Sequence, residues 1–189
     1  MLDQAGKGER IVLFMDASHF IFATFLGHLW CNARCFLKSH AGRKRYNVLG
    51  ALNAATKKVS IHANDTTLDA KSVCLFLKQV YLEYEGKDIT VVLDNARYQK
   101  CKLVRRYAGV LGMELVYLPS YSPHLNLIER FWKYVKKEAL YSTFYEDYTA
   151  FKQGISQCIT DAFIKDKEKM ERLLTTNFQS FQNVKLLPV

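Results

Sequence analysis

Two apolar runs, each ending on an aspartate, constrain this chain more than any other feature. Residues 11–15 read I-V-L-F-M and are followed by Asp16; residues 89–93 read I-T-V-V-L and are followed by Asp94. A short continuous apolar run has no polar face to offer water, so it reads as a strand buried on both faces of a sheet. Such a sheet needs helices above and below it, and the chain supplies them. Apolar residues recur at helical spacing over 67–84, with Asn64, Asp65 and Thr66 as a turn and capping cluster ahead. Helical patterns follow over 99–111, closed by Gly112, over 125–141, and in one or two stretches over 147–175. Further strands are expected at 19–29 after a turn, 46–55, 57–63 and 114–118, while the polar residues 1–10 are expected to fray. Three or more strands, a helix, then strand–helix–strand–helix is a mixed α/β plan.

The 189 residues, 49% of them hydrophobic, suffice for one domain with a substantial core. Aromatic content of 13%, with few glycines and prolines, excludes a disordered chain. The formal charge of +9 points to a polyanionic partner, most simply nucleic acid, against the plainer reading of a soluble basic protein. Cysteines 31, 35, 74, 101 and 158 are odd in number and lack a disulfide framework, so they read as reduced thiols of a cytoplasmic protein. Cys31 and Cys35 are followed by no second pair at zinc spacing. No run approaches the ~18 apolar residues of a membrane span, and no signal-peptide pattern precedes residue 11.

In α/β sheets, ligands bind in the crevice beyond the carboxyl ends of the strands. If the strands ending on Asp16 and Asp94 are neighbours, their side chains emerge side by side. Two like charges so placed call for a cation or a proton, and hard carboxylate oxygens suit Mg²⁺ or Mn²⁺. Taken alone, each aspartate reads first as a cap or turn residue. Glu129 lies in the helical run 125–141, where Leu125, Ile128, Trp132 and Val135 form a stripe about 80° wide facing the sheet. Glu129 falls about 40° from Leu125, at the edge of that stripe. There it can reach into a cleft, or pair with Lys133 at i,i+4 as an ordinary surface pair of ~0.3–0.5 kcal/mol. Spacing alone leaves the two readings level.

V-V-L-D-N-A-R-Y at 91–98, the 34 residues separating Asp94 from Glu129, and L-P-S-Y-S-P-H-L-N-L-I-E-R-F-W-K at 118–133 resemble the DDE transposase domain of the mariner-like superfamily. More closely, they resemble its bacterial insertion-sequence branch, to whose first acidic motif L-F-M-D-A-S-H-F at 13–20 is similar. The resemblance covers about residues 10–145; Ser120 and Leu127 stand where prolines are frequent in the family. It implies a ribonuclease-H-like fold: an antiparallel three-strand meander continued by parallel strands, with helices on both faces. It implies Asp16, Asp94 and Glu129 as a catalytic triad holding two Mg²⁺ (or Mn²⁺) ions for DNA strand cleavage and strand transfer at insertion-sequence ends. Its implied partner is double-stranded DNA, as element end and as target, with the protein a homo-oligomer on that DNA. Candidate DNA contacts are Asn95, Arg97, His124, Asn126, Arg130, Lys133, Lys136 and Lys137. Asn95 and Asn126 are equally turn or capping candidates. Lys100, Lys102, Arg105 and Arg106 are a second basic group near the site, although each cation alone is more simply a solvated surface charge. His19, Tyr98, Tyr117 and Tyr121 are weaker candidates for contacts at the cleft rim.

Two other classes share parts of the pattern. A catalytically idle or repurposed transposase remnant would bind DNA without cutting it, but all three carboxylates are present. A ribonuclease-H-type nuclease would cleave RNA–DNA hybrids, but the spacing and Y-S-P-H-L-N-L-I-E favour the transposase. The helix-turn-helix region that normally precedes such a catalytic domain finds no room before residue 11. Residues 1–189 are therefore expected to form a single catalytic domain, with a core at about 10–145 and a helical extension at about 147–180. The chain then reads as one piece of a split or frameshifted gene, with its end-binding region encoded separately, as a truncated remnant, or as an excised domain.

With a charge of +9 and no reading helix in the sequence, binding to duplex DNA is expected to be electrostatic and weakly sequence-selective. Affinity should fall steeply in a salt titration, and each phosphate contact removed by mutation should lower the log–log slope by about 0.9. An affinity that hardly moves with salt would contradict this.

Overall fold

The apolar run at 11–15 does not stop at Asp16. In the computed structural model, which describes residues 2–23, 36, 38, 40, 44–120 and 122–178, it opens an eleven-residue strand, β1 (Ile11–Ile21). The neighbour β2 (Arg45–Asn53) runs antiparallel to it, from Leu13 opposite Asn53 to Ile21 opposite Arg45. That unbroken ladder leaves no place for a turn after Asp16, so the separate strand expected at 19–29 is corrected: residues 19–21 belong to β1, and 24–29 lie outside the described residues. β3 (Val59–Asn64) continues the antiparallel meander. On the other side of β1, β4 (Ile89–Leu93) and then β5 (Glu114–Tyr117) add in parallel, giving the order β3-β2-β1-β4-β5. At the start of the parallel strands, Arg10 and the Thr90 hydroxyl both bond the Glu114 carboxylate.

Side chains of a strand alternate between faces, and β1 shows both cores. Val12, Phe14 and Phe20 point to the face covered by α4 (Leu127–Leu140), with Phe131, Trp132 and Val135. Leu13 and Met15 point to the face covered by α2 (Ala70–Glu83) and α3 (Lys102–Val110), with Phe76, Leu77 and Val104. Beyond α4, α5 (Tyr148–Lys165) and α6 (Lys167–Leu173) add Phe151, Ile155, Ile159 and Met170 to the same core. The amino terminus does not fray as expected. Residues Leu2–Gly6 form a short helix, α1, because Ala5 is buried against the α4-side core.

Three helices start later than apolar periodicity suggests, each for a local reason. α2 begins at Ala70, since Asp69 rather than the 64–66 cluster is its cap: the Asp69 carboxylate accepts from Ser72 N at 2.9 Å in a capping box. α3 begins at Lys102, because Gln99 N and Lys100 N both donate to Ala96 O at 3.0 Å and tighten residues 96–100 into a turn. α4 begins at Leu127, because Pro123–Leu125 is a single 3₁₀ turn. Among the described residues, Cys74, Cys101 and Cys158 are free thiols, and no helix is long and apolar enough to cross a membrane.

Gly112 joins α3 to β5 at φ +68°, and a Cβ there would meet nothing within 4 Å. The penalty of Gly112→Ala is therefore backbone strain alone, about 1–2 kcal/mol. Thermal melts should show a loss of roughly 2–4 °C per kcal/mol for a chain of this size. An unchanged melting temperature would contradict the left-handed turn.

Candidate active site

β1 and β4 pair only as far as Phe14 and Val92. Carried two residues further, the same register sets Asp16 beside Asp94. The expectation that both aspartates end strands is corrected for Asp16. It lies inside β1, opposite Gly50 of β2, and it is β4 that stops. Both aspartates keep the parity of Phe14 and Val92, whose side chains join the α4-side core, so both carboxylates face α4. Neighbouring strands lie about 4.7–4.9 Å apart, and the two acids are correspondingly close.

Glu129 arrives from above, in the first turn of α4. Ile128 and Trp132 are buried on the sheet, which brings the Glu129 carboxyl close enough to that of Asp16 for its charge to act on it. Among the described residues no ion pair joins Glu129 to Lys133, which is exposed. Of the two readings left level by the spacing, the structure adopts the one that turns Glu129 inward.

Asp16 is 8% exposed. Burial first, then the charges of Glu129 and Asp94, push its pKa up from 3.8 to about 8, against the opposing Ala17 N–H bond. Tyr98 feels the same environment: burial first, and the charges of Asp16 and Asp94 after it, hold its phenol above the usual value. Asp94 keeps a turn role as well, its Oδ1 accepting from Ala96 N at 2.9 Å. Among the described residues no three carboxylate, His or Cys side chains already stand at ligating spacing.

Asp94 and Glu129 line a cleft of about 300 Å³, together with Asn95, Ala96, Leu118, Ser122 and Asn126. Asn126 is 2% exposed and does not cap α4 with its side chain. Its Nδ2 donates instead to Met15 O at 3.4 Å, pegging the start of α4 to the residue before Asp16, and its Oδ1 is left without a partner. Asn95 Nδ2 donates to Leu118 O while its Oδ1 accepts from Lys100 Nζ at 3.1 Å, so it ties the loop after β4 to the end of β5.

The remaining candidates separate. Arg97, His124, Lys133 and Lys137 are exposed. Lys136 is half-buried, its Nζ 5.9 Å from the Phe20 ring. Arg130 turns the other way: it donates to Leu173 O and Thr175 O at 3.4 and 2.9 Å and lies over Phe178, fastening α4 to the segment after α6. Lys102, Arg105 and Arg106 lie on α3, on the opposite face of the sheet, and so form no basic surface beside the triad. His19 Nδ1 is 2.6 Å from Asn47 Oδ1, and the Tyr117 hydroxyl donates to Gln99 O at 3.2 Å. Tyr121 is outside the described residues. Sequence reasoning missed Gly50 and the role of Trp132 beside it. Their approach is between elements distant in the chain, and no local pattern signals it.

The family model described as DDE superfamily endonuclease matches residues 11–152. The Insertion element IS630 uncharacterized 39 kDa protein of Shigella sonnei is 30% identical over 92 residues, which are 48% of this chain and 26% of that protein. Among solved structures, the Mos1 strand transfer complex has a TM-score of 0.65 at 15% identity, covering 96% of this chain and 59% of that one. The catalytic domain of the Mos1 mariner transposase has a TM-score of 0.54 at 14% identity, covering 92% and 86%. At these identities the likeness is one of fold, and it bears out the ribonuclease-H-like expectation of a mixed sheet covered on both faces.

The raised pKa of Asp16 has a stability consequence in the absence of metal. Between about pH 4 and pH 8 the folded state holds a proton that the unfolded state has released, so stability falls as pH rises through this window. Asp16→Asn removes that proton's linkage. Its metal-free melting temperature should exceed that of wild type at pH 8, and the gap should close toward pH 4. Parallel melting curves across the window would contradict the crowding of Asp16.

Proposed function

The chain belongs to the DDE superfamily endonucleases, and from that membership we propose that it is the catalytic part of a DDE transposase, cleaving DNA strands at insertion-sequence ends and transferring them to target DNA. The observation that carries this reading is the meeting of Asp16, Asp94 and Glu129 on one face of one sheet end, from three elements far apart in sequence.

The donor set suits a hard divalent cation. All three groups are carboxylates, and Asp16 is buried against two like charges that a cation would relieve. Mos1 paired-end complexes with Mn and with Mg share the fold. Asp16, Asp94 and Glu129 would hold Mg²⁺ or Mn²⁺, two ions in this reading. When bound, such ions supply an activated water at neutral pH and neutralise charge on the leaving 3′ oxygen. The chain's own residues do the rest. Asp16 would hold the cation as the carboxylate, its proton going to solvent. Asp94 has Oδ2 free for the cleft while Oδ1 keeps its bond to Ala96 N. Asn126 lines the cleft, with its Oδ1 buried and unpartnered behind the surface. Trp132 and Ile128 close the back of the site against water.

Double-stranded DNA is the proposed substrate, with the exposed Arg97, His124, Lys133 and Lys137 toward its backbone. Arg130 and Asn95 serve internal contacts instead. The curated relative is about four times longer than the matched segment. A homo-oligomer on DNA in the cytoplasm is the proposed working form, by likeness to the transposase–DNA complexes that share the fold. A remnant that binds without cutting is disfavoured by the presence of all three carboxylates.

Asp94→Asn keeps an acceptor for Ala96 N but weakens the ligand. It should fold normally, lose Mn²⁺-induced thermal stabilisation, and fail to cleave a labelled element end. Glu129→Gln and Glu129→Asp should each lose cleavage in Mg²⁺ by orders of magnitude with stability nearly unchanged, whereas Lys133→Ala should retain the chemistry. A fully active Glu129→Gln protein would end this reading.

A further inference from the structure

Directly opposite Asp16 stands a residue with no side chain. Gly50 pairs with Asp16 across β1 and β2, and paired residues project to the same face about 4.5–5.5 Å apart. A Cβ at Gly50 would lie 2.5 Å from Trp132 Cζ2, 2.8 Å from Cη2, and 3.0 Å from Ile128 Cδ1. The backbone does not demand glycine here, since φ is outside the left-handed region. It is the approach of α4 that demands it. Trp132 is 2% exposed and wedged edge-on against Phe20 at 6.3 Å, with Phe131 at 5.4 Å. The ring has no room to swing aside. Its Nε1 is buried without a hydrogen-bond partner, so an indole-sized plate is kept at this spot despite an unsatisfied N–H.

Ile128 and Trp132 flank Glu129, one residue before it and three after. We propose that Gly50 is a positioning residue for the carboxylate site: its bare backbone is the seat on which Ile128 and Trp132 rest, and the seat sets how closely Glu129 approaches Asp16. Carbon–carbon contacts relax to roughly 3.5–4.0 Å, so a methyl group on Gly50 lifts the ring by about 1 Å. The first turn of α4 rises with it. A displacement of that size at a reacting centre corresponds to about a 10²-fold loss of rate. The inference rests on the reading of Asp16, Asp94 and Glu129 as a metal-dependent nuclease site.

The test compares wild type, Gly50→Ala, Trp132→Phe and the double variant. Each is measured for folding by circular dichroism, for Mn²⁺ response by thermal shift, and for cleavage of a labelled duplex in Mg²⁺. Gly50→Ala should remain folded, with at least a tenfold weaker Mn²⁺ response and cleavage slower by about 10²-fold. The double variant should regain most of both, because phenylalanine lacks the outer ring atoms that collide with the new methyl group. A merely structural defect would lower the melting temperature but leave the Mn²⁺ response and rate of the folded protein unchanged. Should Gly50→Ala fail to fold, the double variant decides: folding with a restored Mn²⁺ response supports the seat, and failure of both overturns it. A Gly50→Ala protein with wild-type Mn²⁺ response and rate overturns the inference alone. So does a loss that Trp132→Phe deepens. A wild type with no Mn²⁺ response defeats the carboxylate-site reading, and this inference with it.

Discussion

β1 is held by β2 along nearly its whole length but by β4 only over its first four residues, from Ile11 to Phe14. This mismatch in length creates the site. Where β4 stops, the strand beside it continues, and the backbone on that side of β1 is released from the ladder. Met15 O is taken by Asn126, and Asp16 turns its carboxyl into the space at the end of β4. Because the register is parallel and in phase, Asp94 emerges on the same face. Had β4 been longer, the region would be ordinary sheet. The repulsion among three acids follows from this geometry, and in the metal-free chain it falls on the most buried of them.

The third carboxylate is delivered by a helix, and a helix resting on a sheet must have its height and tilt fixed by side chains. α4 is fixed at three points near its start. Asn126 pegs its first residue to β1. Ile128 and Trp132 settle on the gap left by Gly50. Arg130 is bound to the carbonyls of Leu173 and Thr175, while Phe178 reaches the Phe14 ring at 5.9 Å. Glu129 lies among all three. Its neighbours on either side are spent on structure, leaving it free for the cleft.

Much of this was legible in the chain. Continuous apolar runs at 11–15 and 89–93 announced buried strands, and the stripe of Leu125, Ile128, Trp132 and Val135 announced which side of α4 faces the sheet. The apolar patterns placed each of the three acids at an end or border, but it was the family resemblance, not the pattern, that singled them out as a triad. Less was legible where tertiary contacts decide. That β1 runs on past Asp16 depends on β2, some 25 residues or more away. Arg130 looked like a candidate for DNA because its partners are backbone carbonyls, which no sequence pattern marks. Lys102, Arg105 and Arg106 are near Asp94 in number but lie across the sheet, since the chain changes face between β4 and α3. Gly50 reads as an unremarked glycine in a strand, and only the overlying indole gives it meaning.

The family match closes at residue 152, in the second turn of α5. The physical support of α4 does not close there. Ile155, Ile159, Ala162, Met170 and Leu174 lie in the same core as Phe131 and Trp132, and the carbonyls that bind Arg130 are those of Leu173 and Thr175. The stretch that the family model matches is thus shorter than what must be folded together. The signature can be read without the last helices, but the helix that presents Glu129 would lose much of its backing if the chain were cut where that match ends.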